Sequence, residues 1–491
     1  MSETLDKPAV AEAAADRYAQ RRWLALPVIL TGTFMTILDF FVVNVAIPSA
    51  QAELHASDAQ IQFVVAGYGV AYAIGLITGG RLGDLYGRRR VFALGITLFT
   101  LASLLCGIAV NADMLVASRV FQGLAASLMF PQVLAIINVT YTGEDRGRAF
   151  SGFGVALGLA SVSGQLIGGL LIAANIFGIG WRSCFLVNVP VGIAALILLP
   201  MLVAESRAES AKRLDLRGVA LVSPALALLL IPLVEGRQSH WPLWTWIALA
   251  ASVLGLAVFG RAQAATARRG GTPLVEPALF RSRAFTSGLI TILSVYCGMA
   301  SLMLILALYL QDGLHYSALI SGLSFLPMGV TFFLSSRNAG KFIARWGRRT
   351  LTYGALAIIV GEGGLALTTM HTGTLPGGGA RIDFLLFAVF MAISGAGIGA
   401  VGAPLIAQVL QGVDPQHAGS ASGVLSTVQQ VAGALGVAVL GIIFYGVLGR
   451  HSTPTDYGHA FAIGLVYTVC LAVVTVAVTL PNRLWSGIRG E

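Results

Sequence analysis

Charge is the scarcest commodity in this chain. Only 11% of its 491 residues are Asp, Glu, Lys or Arg, while 56% are hydrophobic and the mean hydropathy is +0.81. A water-soluble domain carries about 25% charged residues. So little polar surface cannot coat a water-exposed globule, which leaves a polytopic membrane protein. Lysine is nearly missing, with Lys7, Lys212 and Lys341 its only instances, and arginine supplies the rest of a net charge of +9. In a soluble chain that balance would suggest nucleic acid. Here the cations sit in short loops between apolar runs with few interleaved aromatics, so no nucleic-acid partner is expected; they serve topology and anionic lipid headgroups. The four cysteines, Cys106, Cys184, Cys297 and Cys470, lie in or beside apolar runs and form no C-x-x-C pair, which excludes a metal site or disulfide framework and leaves small packing residues. No G-x-x-x-x-G-K-[ST], H-E-x-x-H or G-x-S-x-G string occurs. Neither ATP-driven transport nor an enzyme is supported, and no cofactor is expected.

What is present is long apolar runs. A spanning helix needs about 20 mostly apolar residues. Fourteen such spans are expected, over 24–48, 59–80, 91–110, 114–137, 149–174, 182–202, 217–233, 243–260, 284–310, 318–338, 350–370, 383–409, 419–448 and 458–480. Ala50-Gln51-Ala52 resembles a cleavage site, but the run before it exceeds the roughly 7–15 residues of a signal core and contains Asp39, so it reads as a retained first helix. With the N-terminus inside, 26 of the 31 cations fall in inner segments, and only Arg182, Arg237, Arg381 and Arg450 fall outside. Arg119 alone lies within a span. That asymmetry predicts that both termini are cytoplasmic and that the span count is even.

The chain also repeats itself. Gly80-Arg-Leu-Gly-Asp84-Leu-Tyr-Gly87-Arg88-Arg89 returns, worn down, as Gly340-Lys-Phe-Ile-Ala344-Arg-Trp-Gly347-Arg348-Arg349, 260 residues later. Asp145, Ala149 and Ser151 match Asp414, Ala418 and Ser420 at an offset of 269. Such repeats mark transporter folds. The expected organisation is a cytoplasmic tail (1–23), a first six-helix bundle (24–202), an inserted helix pair (203–260), a basic linker (261–283), a second six-helix bundle (284–480) and a cytoplasmic tail (481–491). Within the linker, Leu274, Val275, Leu279 and Phe280 fit either an interfacial segment or an ordinary loop.

At this point the whole chain resembles the major facilitator superfamily, and within it the fourteen-helix branch of drug–proton antiporters. Gly80-Arg-Leu-Gly-Asp84…Gly87-Arg88-Arg89 matches the superfamily's signature between helices two and three. Leu38-Asp39-Phe-Phe-Val-Val-Asn44-Val-Ala-Ile-Pro48 is similar to the branch's first-helix motif, Arg119-Val-Phe-Gln122-Gly123 to its fourth-helix motif, and Trp181-Arg182…Asn188-Val-Pro190 to the start of helix six. Phe41 stands where the branch has a small polar residue, and Gly164-Gln165-Leu-Ile-Gly168-Gly169 replaces Gly-Pro-x-x-Gly-Gly in helix five. The absent proline removes a helix perturbation associated with export.

Several side chains could carry a transport mechanism. Asp39 lies mid-span, where an ionised carboxylate costs about 2.5–3.5 kcal/mol, so it should face a cavity, pair or take up a proton. Arg119 lies at a comparable depth, about 9 Å from the outer end of its helix against about 13 Å for Asp39, so contact or a water bridge is feasible, with Gln122 on the same face. The alternative for each is a buried, hydrogen-bonded structural role, a helix-packing ion pair. Glu362 is a second buried acid, on a span that the resemblance makes peripheral. The resemblance implies that Asp84 latches the cytoplasmic side, with Gly80, Gly87, Arg88, Arg89, Gly164, Gln165, Gly168 and Gly169 in the moving parts; a helix start near Gly419 would receive the carboxylate. It also implies that Asp39, Asn44, Tyr68, Tyr72, Gln122, Tyr296, Met299, Met303 and Phe325 line the cargo cavity, where aromatics and methionines make adaptable walls. The expected protein is a proton-coupled antiporter in a bacterial inner membrane. It exports amphipathic drugs or toxic compounds by alternating access, as a monomer with or without accessory export proteins, using protons and no metal. The alternatives are export of a metabolite, siderophore or lipid, uptake of a nutrient, or a channel or sensor.

Overall fold

The structure is a computed structural model that describes residues 7–175, 178–208, 213–236, 239, 241–316, 318–347, 349–370, 373–374, 380–381, 383–449 and 453–480. It is almost wholly helical. The elements are α1 (Lys7–Leu54), α2 (Asp58–Tyr86), α3 (Arg88–Gly107), α4 (Ala112–Thr140), α5 (Gly143–Ala174), α6 (Ser183–Leu186), α7 (Asn188–Leu202), α8 (Leu216–Glu235) and α9 (Leu243–Arg268). There follow α10 (Arg283–Leu308), α11 (Ala318–Ser324), α12 (Leu326–Trp346), α13 (Arg349–Met370), α14 (Phe384–Gln411), α15 (Ala418–Leu448) and α16 (Pro454–Thr479). A two-residue antiparallel ribbon pairs Gly373–Thr374 with Ala380–Arg381.

Helix ends follow from local chemistry. Ser57 and Gln60 form a capping box at α2, Thr453 and Asp456 another at α16. Asn111 caps α4, and Asp383 accepts from two amides of α14. Each satisfies amides that an apolar surrounding cannot. Between α2 and α3 the chain turns at Gly87, whose φ of 102° suits glycine.

Among the described residues, twelve helices are long and apolar enough to cross a membrane. Two of the fourteen expected spans fall outside that set. The span over 149–174 lies within α5, where the side chains of Ser161, Val162 and Gln165 fall outside the described residues, and the span over 318–338 is interrupted at Phe325 and carries Arg337, Ser335 and Ser336 in α12. Helix six is likewise split near Val187, into α6 and α7. Two expected boundaries move. The tail over 1–23 is helical from Lys7, as its alanine-rich sequence favours. The linker over 261–283 begins only after Arg268, because α9 continues two turns further. Leu274 and Val275 are buried and Phe280 is exposed. The Leu274 carbonyl accepts from Ser420 and the Val275 amide donates to Gln263, so this loop is tied into the helices.

Helices α1 to α7 pack on one another, chiefly α2 and α3 on α4 and α5 on α1; α10 to α16 form a second set, chiefly α12 and α13 on α14 and α10 on α15 and α16. The two sets meet along α2–α15 and α5–α12. At the first seam the backbones nearly touch: a Cβ on Gly80 would overlap the Gly419 carbonyl, and one on Gly419 would overlap that of Gly80. At the second, Gly154 faces Ala403 and Ser336, and Gly158 faces the Phe332 ring. These contacts lie in the half of the molecule that carries the arginine-rich turns. Helix α8 packs across the first seam, against both α2 and α15.

At the other end, Glu53 ties α1 to the start of helix six. It accepts from Arg182 at 2.5 Å and from the Trp181 indole at 2.7 Å. The Arg182 bond first, then that of Trp181, holds the Glu53 carboxyl below its free value of 4.5. A carboxylate held low adds stability above its free value and loses it as pH falls through the folded one. Glu53→Gln should therefore lower the thermal unfolding midpoint of the purified protein at neutral pH, by the equivalent of about 1 kcal/mol or less for so exposed a pair. The difference from wild type should close below pH 4.5. A difference independent of pH would assign the effect to packing.

Candidate functional site

The first site is a charge cluster inside the first helical set. Asp39 and Arg119 are both fully buried and form an ion pair. The second Asp39 oxygen accepts from the Gln122 amide at 2.9 Å and from the Asn188 amide at 3.0 Å. Gln122 accepts in turn from Arg119 at 2.7 Å and donates to Ser103 at 2.8 Å. Arg119 also donates to the Val64 carbonyl at 3.1 Å, and its guanidinium lies 4.2 Å from the centre of the Tyr68 ring. Five helices thus contribute: α1 the acid, α2 a carbonyl and an aromatic face, α3 a hydroxyl, α4 the cation and an amide, and α7 a second amide. Each charged atom has a partner, as a low-dielectric interior demands.

Sequence reasoning names Asp39, Arg119, Gln122 and Tyr68, and the structure brings these four together. It did not give Asn188 or Ser103 a place beside the acid. Asn188 stands in the helix-six motif, and a lone amide at the start of an apolar helix was the available signal. The side chains of Asn44 and Gln165 lie outside the described residues. Tyr68 and Tyr72 are buried within the first set and stack on each other, with ring centres 6.1 Å apart. The row continues through Phe130 to Phe153 and Phe150. Tyr296 on α10 packs partly buried against the core, with the Gln429 side chain of α15 beside it. Met303 and Phe325 pack partly buried against the core. Met299 lines a small interior cavity of the second set together with Glu362.

Gly164 and Gly168 belong to the α1–α5 contact. A Cβ on Gly164 would lie 2.7 Å from that of Phe41, and one on Gly168 2.9 Å from a Val42 methyl. Phe41 therefore occupies space that only a glycine opposite leaves free. Gly169 faces open space.

The second site is at the α2–α15 seam. Both Asp84 oxygens are received by the first amides of α15, from Gly419 at 2.9 Å and Ser420 at 2.8 Å. A helix start offers unsatisfied amides and partial positive charge, which suit a carboxylate. Arg88 donates to Asp84 at 2.8 Å and to the Pro415 carbonyl at 2.6 Å, so acid and base both cross the seam. Asp84, Arg88, Gly419 and Ser420 are buried, and Pro415 is exposed. Arg89 reaches the Val203 carbonyl at 3.1 Å, and Glu205 accepts from the amides of Arg89 and Arg90. The repeat of this turn carries Ala344 in place of the acid, so the lock exists on one side only. Beside the α5–α12 seam, at the same end, a cleft of about 790 Å³ is lined by Arg146, Arg148, Arg337, Lys341 and one acid, Glu144, over an apolar floor that includes Val155 and Phe333.

Charge-assisted hydrogen bonds are worth about 1.5–3 kcal/mol. Asp84→Asn replaces two of them and leaves Arg88 without its anion. Between cysteines placed at Leu85 and Gln416 in a background free of native cysteines, Asp84→Asn should slow crosslinking several-fold. An unchanged rate would reduce Asp84 to a turn residue.

Comparison with known proteins follows from this geometry. The Major Facilitator Superfamily profile matches residues 29–437. A probable actinorhodin transporter of Streptomyces coelicolor is 39% identical over 471 residues, covering 96% of this chain and 80% of its own. A puromycin resistance protein of Streptomyces alboniger is 35% identical over 483 residues, covering 95% of this chain and 93% of its own. Among solved structures, a proton:xylose symporter superposes with a TM-score of 0.60 at 16% identity, over 92% of this chain and 95% of that one, which is a likeness of fold. The chain belongs to the Major Facilitator Superfamily, a family of multi-pass membrane transporters rather than enzymes.

Proposed function

We propose that this transporter is a proton-coupled antiporter that exports amphipathic, antibiotic-like compounds from a bacterial cytoplasm, crossing the inner membrane fourteen times with both termini inside. The observation that carries the reading is the Asp39–Arg119 cluster: a carboxyl at mid-span, fully buried, paired with one cation and two amides. A proton arriving there removes the anion, and Arg119 is then left with its carbonyl and amide acceptors alone. That change of net charge inside the first helical set is a means of coupling proton movement to the arrangement of helices. Each inward proton contributes about 2.3 kcal/mol per 100 mV of membrane potential.

The Asp84 lock and the close α2–α15 seam support a conformation shut at the arginine-rich end, which the charge asymmetry makes cytoplasmic. Opening that seam and closing the other end is the rocking motion of alternating access. The basic cleft at the α5–α12 seam suits collection of amphipathic cargo from the cytoplasmic side. The names of the relatives, a probable antibiotic transporter and an antibiotic resistance protein, support export. A second reading, proton-driven uptake on the same fold, is favoured by Gln165 standing where exporters of this branch carry proline, and by α5 running unbroken through that point.

Proteoliposomes with an imposed pH gradient and a panel of amphipathic compounds decide between them. Wild type should accumulate cargo against its gradient in the direction opposite to proton flow. Asp39→Asn keeps the shape but cannot release a proton; it should abolish uphill transport while retaining binding. Arg119→Lys should restore little, because an ammonium does not reproduce the guanidinium's fork. Stoichiometric proton movement with cargo in Asp39→Asn would place coupling elsewhere, and accumulation in the direction of proton flow would favour uptake.

A further inference from the structure

The internal duplication relates the Asp39 cluster to a second polar pocket, in the other helical set. Met299 stands 260 residues after Asp39, the offset of the repeated turn. Ser394 stands 272 residues after Gln122, the offset between the first residues of α4 (Ala112) and α14 (Phe384). Glu362 stands 259 residues after Ser103, within one residue of the repeat. Met299, Ser394 and Glu362 line one cavity, together with Ser294 of α10 and Thr468 and Thr475 of α16. The equivalent helices therefore enclose a polar site in each set. In the first, the acid is on the first helix and faces a cation. In the second, the acid has moved to the third helix, and no charged side chain other than Glu362 lines the cavity.

The chemistry of the lining suits the neutral form of the acid. Glu362 is 2% exposed, and neither its Oε2 nor Ser394 Oγ makes a well-formed hydrogen bond, although the Ser394 and Thr468 hydroxyls lie against the carboxyl. Thr468 and Thr475 already donate their hydroxyl hydrogens to the Leu465 and Leu471 carbonyls, at 2.9 and 3.2 Å. What they turn to the cavity is acceptor capacity. A carboxylate needs donors and a cation, whereas a protonated carboxyl needs an acceptor for its O–H. Cys297 and Tyr467, bonded to each other at 3.1 Å, and Tyr296 occupy the same helices without lining the cavity. The cavity has a volume of about 20 Å³, room for one water.

We propose that Glu362 is a second proton-carrying carboxyl, protonated in this conformation and exchanging its proton through the adjoining water-sized cavity. This rests in part on the reading of the protein as proton-coupled: Asp39 would carry one proton and Glu362 another, each within its own helical set.

Infrared difference spectroscopy on the full-length protein in lipid, stepped between acidic and alkaline buffer, tests the proton directly. Wild type and Asp39→Asn should both show a protonated-carboxyl C=O band that shifts in heavy water and titrates. Glu362→Gln should lack that band, and Ser394→Ala should move its frequency. A spectrum identical in wild type and Glu362→Gln overturns the proposal, and so does a Glu362 band that never titrates. In proteoliposomes, protons moved per cargo should fall towards half in Glu362→Gln; an unchanged ratio also counts against it. Absence of any cargo-driven proton flux in wild type would defeat the antiport reading instead, while the infrared band still decides whether Glu362 carries a proton.

Discussion

An apolar helical bundle tolerates no uncompensated charge, and the interior of the first helical set is organised by that constraint. Asp39 is neutralised by Arg119, and the leftover lone pairs and hydrogens of both are taken up by Gln122, Asn188 and the Val64 carbonyl. Removing one partner would leave the other buried and alone, at a cost of about 3–5 kcal/mol. The cluster therefore fixes α1, α2, α4 and α7 relative to one another, and α3 through Ser103. It is also the place in this set where adding one proton changes most, because the anion on which every donor converges would vanish.

The Asp84 lock applies the same physics between the two sets. There a carboxylate is satisfied by the first amides of α15, and Arg88 bridges to the Pro415 carbonyl on the far side of the seam. Glycines at positions 80, 419 and 423 let the backbones come close enough for these short bonds. From the cluster run Tyr68, Tyr72, Phe130 and Phe153, ring against ring. The row begins on the Arg119 guanidinium and continues through α4 into α5, so a change at the cluster meets a packed path rather than loose space.

Much of this was legible in the sequence because membrane helices leave a strong signal in hydropathy, and because a lone ion inside an apolar run is conspicuous. Asp39, Arg119 and Asp84 stood out for that reason. Asn188 and Ser103 did not, since an amide or a hydroxyl is cheap in a helix and its partner comes from a helix far away in sequence. The helix breaks at Val187 and Phe325 are marked by Pro190 and Pro327 just beyond each joint, but a long apolar run hides them in a hydropathy reading. The hydropathy rule also met its limit at α12, where serine, asparagine and basic residues dilute the apolar signal. The extension of α1 back to Lys7 and of α9 to Arg268 shows helix propensity continuing past the apolar core.

The two sets are unequal in their chemistry. One holds an acid paired with a cation and the lock residue Asp84; the other holds an acid among hydroxyls and the helix start that receives the lock. The proposed proton coupling requires that the proton state of Asp39 govern whether the α2–α15 seam is shut. Spin labels on the ends of α2 and α15, with their distance distribution recorded across pH, measure this most directly. Wild type should pass from a short to a long distance population as pH changes, and Asp39→Asn should lose most of that response. A pH response in Asp39→Asn as large as that of wild type would contradict the account.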